Sequence, residues 1–417
     1  MKPKHTLIAT VGTSPQVVTE TLYAIHHDNQ QWPDEIFLIT TTVGKEKAVE
    51  GLLEAAHLQR LCRQLQRPQP AFSAEHVLVV PGADGTQVED ARSLADHEAL
   101  ANFIMTEVRN RTSGTGTGTS GSGSGSIHAS LAGGRKTMTF YIGYAMSLFG
   151  RTQDRLSHVL VSEGYESVPG FWFPTSDPAH RQVDNRGQLL DASAAEVTLA
   201  PIPFVRHRHD LPRVLLQTGE HVDFARLVQL INLGENPQTL RLEVDLNARC
   251  IRVRDNASDI CVTIEPTLIN LAFYAMLARA TVQGETDYLR PSKSRPDKGM
   301  SRTLVDELLT LCHKRLTDNL ERNLELLGDI DLLRGSTLNT LHKGITDTWF
   351  DQRRNELNER LEEKLPFSLT RWIVPRPVWK DDGTRLSMDM GGTTPRGCGY
   401  GIALQPEQIT LLEHQGA

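Results

Sequence analysis

From Thr6 to Val11 the chain is apolar or β-branched without alternation, the pattern of a strand covered on both faces. After a short turn, Val18, Thr21, Leu22 and Ile25 recur at i, i+3, i+4 and i+7, which predicts a helix lying on that strand. The cycle repeats as strand Glu35–Thr41, helix Lys45–Gln66, strand His76–Val80, helix Ser93–Arg109, strand Ile127–Leu131, helix Lys136–Phe149 and strand His158–Val161. Strands and helices alternating at these lengths need right-handed crossovers, so the expected fold is α/β: a Rossmann-like, doubly wound, mostly parallel sheet.

At 417 residues the chain exceeds one comfortable core, and two domains are expected. Prolines 201, 203 and 212 and the run PFVRHRHDLPR mark the trailing part of the first, placed at 1–237. In the second, 238–417, LRLEVDLNARCIRVRDNASDICVTI reads as short antiparallel strands joined by Asp/Asn turns. Helices are expected at Pro266–Ala280, Ser301–Leu326 and Trp349–Leu365, before a closing ribbon from RWIVPRP to RGCGYGIAL. Residues 112–126 are Gly, Ser and Thr alone; they offer no apolar area against their ordering entropy and read as a flexible loop.

A net charge of -7 gives no global reason to expect nucleic acid, so any such site must be a local patch. Cys62, Cys250, Cys261, Cys312 and Cys398 form neither a CxxC pair nor a zinc spacing, which fits reduced thiols and a cytoplasmic protein. The amino-terminal apolar run is too short for a signal peptide, and no stretch reaches about 18 apolar residues, so no membrane association is expected.

In an open parallel sheet, ligands collect at the carboxyl ends of the strands flanking the switch in strand order, here strands one and four. After strand one stand Gly12-Thr13-Ser14-Pro15, with Ser14 suited to N-cap and Pro15 to the first helical position. After strand four stand Ser130-Leu131-Ala132-Gly133-Gly134-Arg135-Lys136, two glycines for close backbone approach and two cations at a second helix start. Two anion-seeking helix starts are expected to face one crevice that holds a phosphate-bearing ligand.

The stretches ATVGTSPQVVTETLYAI, ASLAGGRKTMTFYIGYAMSLFGRTQDRLSHVLV and GFWFPT resemble the CRISPR-associated Rossmann-fold (CARF) proteins, specifically the ring nucleases, over residues 5 to about 210. That resemblance implies a homodimer binding a cyclic oligoadenylate, cyclic tetra-adenylate foremost, and cutting it to linear products without metal or cofactor. It gives Ser14 and Lys136, with Arg135, the catalytic roles. Gly12, Thr13, Gln16, Thr41, Thr42, Ser130, Gly133 and Gly134 are then ligand-binding. The 2′-hydroxyl beside each phosphorus is an internal nucleophile, so alignment and charge stabilisation are what the protein must supply. The same groups also suit a receptor that holds the ring intact.

The second half resembles a winged-helix fold of response-regulator type, through its RGCGY strand. That likeness implies a ligand-responsive transcriptional regulator as the alternative function, with Arg353, Arg354 and Asn358 as candidate nucleic-acid contacts on the helix Asp351–Lys364. This helix sets four cations against five carboxylates, a net charge that counts against phosphate contact. Residues 290–302, with Arg290, Lys293, Arg295, Lys298 and Arg302, form a more basic segment.

Overall fold

The computed structural model describes residues 3–413 apart from 83–84, 88–92, 114–124, 167, 169, 178–181, 184–188, 218–222, 257, 285–288, 293–294, 330–332, 382–383 and 388–398. All but the ends of the Gly/Ser/Thr segment therefore lies outside the described residues. The chain divides into two compact units, residues 1–209 with 215–225, and residues 210–214 with 226–417.

The first unit runs β1 (His5–Thr10), α1 (Gln16–His27), β2 (Glu35–Thr40), α2 (Thr42–Ala48), α3 (His57–Gln64), β3 (Val77–Val79), α4 (Leu94–Thr112), β4 (Ser126–Ser130), α5 (Lys136–Phe149) and β5 (Arg155–Val161). A two-stranded ribbon, β6 (Gln182–Val183) with β7 (Leu189–Leu190), precedes β8 (Val197–Pro201). The main sheet has the order β3-β2-β1-β4-β5-β8, parallel throughout except for β8 against β5. β1 is buried at every position, as its unbroken apolar run requires of a central strand. Its neighbours are β2 and β4, so the switch in strand order falls where the pattern puts it.

The expected helix Lys45–Gln66 is three pieces: α2, a π-helical turn at Val49–Glu54, and α3. Ala56, at φ 57°, is left-handed and breaks it. Gly51 lies in the π turn, where a Cβ would come within 2.1 Å of the Trp172 ring, and His57 stacks on the same indole at 4.0 Å. The helix deforms around a tryptophan far along the chain, which no local pattern announces.

The second unit holds α6 (Phe224–Glu235), whose first two residues belong to the first unit, then β9 (Leu240–Asp245), β10 (Cys250–Asp255) and β11 (Ser258–Ile264). Helices α7 (Leu268–Gln283), α8 (Lys298–Leu311), α9 (Leu320–Gly328), α10 (Gly335–Lys343), α11 (Asp347–Lys364) and α12 (Phe367–Ile373) follow. β12 (Arg376–Asp381), β13 (Thr384–Ser387), β14 (Gly399–Gly401) and β15 (Ile409–Leu412) end it. Leu271 to Ala278 of α7 are buried without a break, the signature of a helix surrounded on all sides by core.

β9, β10 and β11 are antiparallel, as read from their alternation, while β15 adds to β9 in parallel. The expected helix Ser301–Leu326 is two, because α8 stops in a left-handed turn at His313 (φ 54°), closed by Lys314 N–H on the Leu309 carbonyl at 2.9 Å. Among the described residues no helix is long and apolar enough to cross a membrane, and Cys62, Cys250 and Cys312 are free thiols.

Candidate functional site

The turns that follow β1, β2 and β4 are tied together by two threonines at strand ends. The Thr10 hydroxyl donates to the Gly133 carbonyl at 2.6 Å, and the Thr40 hydroxyl to the Val11 carbonyl at 2.6 Å. Both threonines are fully buried, so each bond satisfies a hydroxyl that would otherwise be orphaned. The glycines make the approach feasible. A Cβ on Gly133 would stand 2.7 Å from the Thr10 carbonyl oxygen, one on Gly12 would touch the Gly134 backbone at 3.5 Å, and Gly134 has φ +86°. One on Gly44 of α2 would fall 1.9 Å from the Thr40 hydroxyl, displacing the tie between β2 and the first turn.

These turns enclose a cleft of about 720 Å³ at the carboxyl ends of β1, β2 and β4, lined by Gly12, Thr13, Ser14, Thr41, Gly133, Gly134 and Arg135, with Val17, Val43 and Met138 as apolar surface. The volume suits a small molecule of nucleotide size. Seven sequence-predicted residues thus meet in one cavity. Among the described lining residues there is no histidine and no carboxylate.

Ser14 is exposed and makes no hydrogen bond within the described protein. It does not cap α1: Pro15 already has helical dihedrals (φ -72°, ψ -6°) and holds the N-cap position without a side-chain bond, and the Val18 N–H closes the first turn on its carbonyl at 3.1 Å. The proline takes over the geometric role expected of the serine, which leaves the serine hydroxyl exposed at the cleft. Thr41 caps α2 through a long 3.5 Å contact from Gly44 N–H while lining the cleft. Arg135 is the exposed N-cap residue of α5. Lys136, the first residue of α5, is exposed and unpartnered but stands outside the cleft lining.

Gln16, Thr42 and Ser130 also fall outside the lining. For Ser130 the cause is plain: it is buried on the helix side of the sheet, its hydroxyl 3.3 Å from that of Thr21 and 3.5 Å from Ala132 N–H, so it supports the turn from beneath. Sequence reasoning passed over Thr10, Thr40 and Gly44. A hydroxyl at the last position of a buried strand, just before a glycine turn, is the available signal; it reads as an ordinary β-branched strand end.

The other motifs of the first unit are structural. In GFWFPT, Phe171, Trp172 and Phe173 are buried, and Thr19 of α1 donates to the Trp172 carbonyl at 2.7 Å. In GRTQDR, the buried Asp154 carboxylate accepts from Ile127 N–H at 2.8 Å and from Arg151 N–H at 2.7 Å, and pairs with the Arg151 guanidinium at 2.9 Å, pinning the starts of β4 and β5. On α1, Glu20 is buried without a hydrogen-bond partner, and desolvation, helped by Glu166, pushes its carboxyl up to about 8.

In the second unit, Arg354 is engaged with Tyr400 at 2.8 Å and Asp351 at 3.4 Å, and the Asn358 side-chain carbonyl is buried. Arg353 packs over Trp349 and pairs with Glu356, so α11 presents no open cationic face. In the basic segment Arg290 is paired with Asp347 and Asp351, and Arg302 donates to the Asp318 carbonyl; Lys293 lies outside the described residues.

No curated protein matches the chain. A protein-family model matches residues 14–233, more than half of the 417, a span that opens on Ser14 and contains the turns after β2 and β4. That model describes CRISPR-associated protein NE0113 (Cas_NE0113), and the chain belongs to this CRISPR-associated family.

Proposed function

We propose that the first unit binds a cyclic oligoadenylate, foremost cyclic tetra-adenylate, as a homodimer and cleaves it without metal, ending a type III CRISPR signal. The observation that carries this reading is the exposed, unpartnered Ser14 hydroxyl in the turn after β1, lining one cleft with the glycine turn that Thr10 holds. The positive dipole ends at the starts of α1 and α5 favour phosphate oxygens there. The family's CRISPR association supports the same ligand class.

The chemistry asks little of the protein beyond placement. A ribose 2′-oxygen attacks the adjacent phosphorus, the bond to the 5′-oxygen breaks, and the products are a 2′,3′-cyclic phosphate and a 5′-hydroxyl. The 2′-proton leaves to solvent and the departing 5′-oxygen regains one. Ser14 holds the 2′-hydroxyl in line, while Arg135 and, toward the ring lying beyond one cleft, Lys136 stabilise charge on the phosphoryl oxygens. With no acid or base among the described lining residues, turnover is slow.

That same absence favours a second reading, a regulator that holds the ring intact and passes its occupancy to the second unit. Incubating the protein and Ser14→Ala with cyclic tetra-adenylate in EDTA separates the two. Linear products from the parent alone support cleavage, and tight binding with an intact ring supports the regulator.

A further inference from the structure

A separate cavity of about 570 Å³ lies within the second unit, bounded by the start of α7, the first turns of α10 and one face of α11. Its groups divide by chemistry. Arg334, the N-cap residue of α10, is exposed, its guanidinium without a hydrogen-bond or ion-pair partner, and Ser336 and Thr337, the second and third residues of α10, add two hydroxyls to the lining. From α11 comes Trp349, half-buried, with the Arg353 guanidinium packed over its ring 5.8 Å from the ring centre. Glu356 anchors Gln352 at 3.1 Å and Arg353 through the same carboxylate oxygen, leaving its second oxygen open.

We infer that this cavity binds a nucleoside 5′-phosphate, either free or as the phosphorylated end of a strand. A planar base stacks on the Trp349–Arg353 pair, indole and guanidinium together, a contact that tolerates any base. The phosphate meets Arg334 and the two hydroxyls, a charge-assisted array that needs no desolvated cation elsewhere. The open Glu356 oxygen accepts from a ribose hydroxyl or an exocyclic amine, and its negative charge turns away a purely anionic guest such as an acidic peptide. Inorganic phosphate alone would leave the tryptophan unused. The inference does not depend on the cleft of the first unit.

Photolabelling of the full-length protein with 8-azidoadenosine 5′-monophosphate tests it. Saturable label is expected on the tryptic peptide containing Trp349, competed by AMP but not by adenosine or inorganic phosphate at equal concentration. Arg334→Ala, at an exposed position, is expected to weaken the labelling affinity about tenfold or more, and Ser14→Ala to leave it unchanged. Stronger competition by a 5′-phosphorylated tetra-adenylate than by AMP assigns the site to strand ends, and the reverse to free nucleotide. Absence of saturable label on that peptide, label indifferent to Arg334→Ala, or label lost in Ser14→Ala overturns the inference.

Discussion

The Thr10 hydroxyl and the Gly133 carbonyl, 123 positions apart in sequence and 2.6 Å apart in space, join the two turns that frame the cleft. Thr10→Val keeps the shape but leaves the Gly133 carbonyl with only the long 3.4 Å contact from the Thr139 hydroxyl, at a cost of about 1–2 kcal/mol. For a unit of this size that is a fall of roughly 2–8 °C in its melting temperature. Ligand affinity should fall with it, because the Gly133–Gly134 backbone loses its tie to β1. Differential scanning calorimetry and ligand titration of Thr10→Val check both.

Gly134→Ala meets two penalties at once. The residue sits at φ +86°, and a new Cβ lies 3.2 Å from both Met138 Sδ and Thr10 Cβ. A loss of about 1–2 kcal/mol is expected, with a larger loss of ring binding than of stability. Equal binding by the variant and the parent would show that the guest does not use this turn.

Asp154→Ala removes the acceptor for Ile127 N–H, Arg151 N–H and the Arg151 guanidinium together. Arg151 is left mostly buried without its carboxylate, and about 3–5 kcal/mol should be lost. Urea unfolding measures it. The motif that looks most like a signature thus acts through stability, and ring binding per folded molecule should be unchanged.

Glu20 gives a pH dependence of definite sign. Its folded-state value, about 8, lies above the 4.5 of the free carboxyl, so the folded protein holds the proton more tightly than the unfolded chain. The resulting contribution is complete below about 4.5 and is lost as pH rises to about 8, at a limiting slope of about 1.4 kcal/mol per pH unit. Glu20→Gln should flatten that decline and be the more stable protein above pH 8. A parent and variant that decline in parallel would show that Glu20 is not the group responsible.

Much of the first unit is legible in its periodicity. The run from Thr6 to Val11, the stripe from Val18 to Ile25 and the bounds of α5 need only apolar patterning, and the neighbourhood of β1 and β4 follows from connection rules. Helix ends at Ala56 and His313 are not legible, because each turns left-handed without a glycine to mark it. The pairing of β15 with β9 is not either, since it joins segments over 160 residues apart.

The cleft divides in the same way. Gly12, Ser14, Gly133 and Gly134 could be read because glycine and proline turns are local. Thr10 and Thr40 could not, since their bonds cross between strands. Lys136 and Ser130 show the limit of reading along a loop. One residue of difference in register decides whether a side chain faces the cavity, the solvent or the core.

Cleavage of cyclic tetra-adenylate in EDTA, followed by chromatography for the parent protein and for Ser14→Ala, tests the role of the first unit most directly. Linear products ending in a 2′,3′-cyclic phosphate are expected from the parent, with at least a tenfold slower rate (about 1.4 kcal/mol or more of barrier) from a variant that still melts normally. An intact ring bound by the parent, or equal rates from the two proteins, would contradict it.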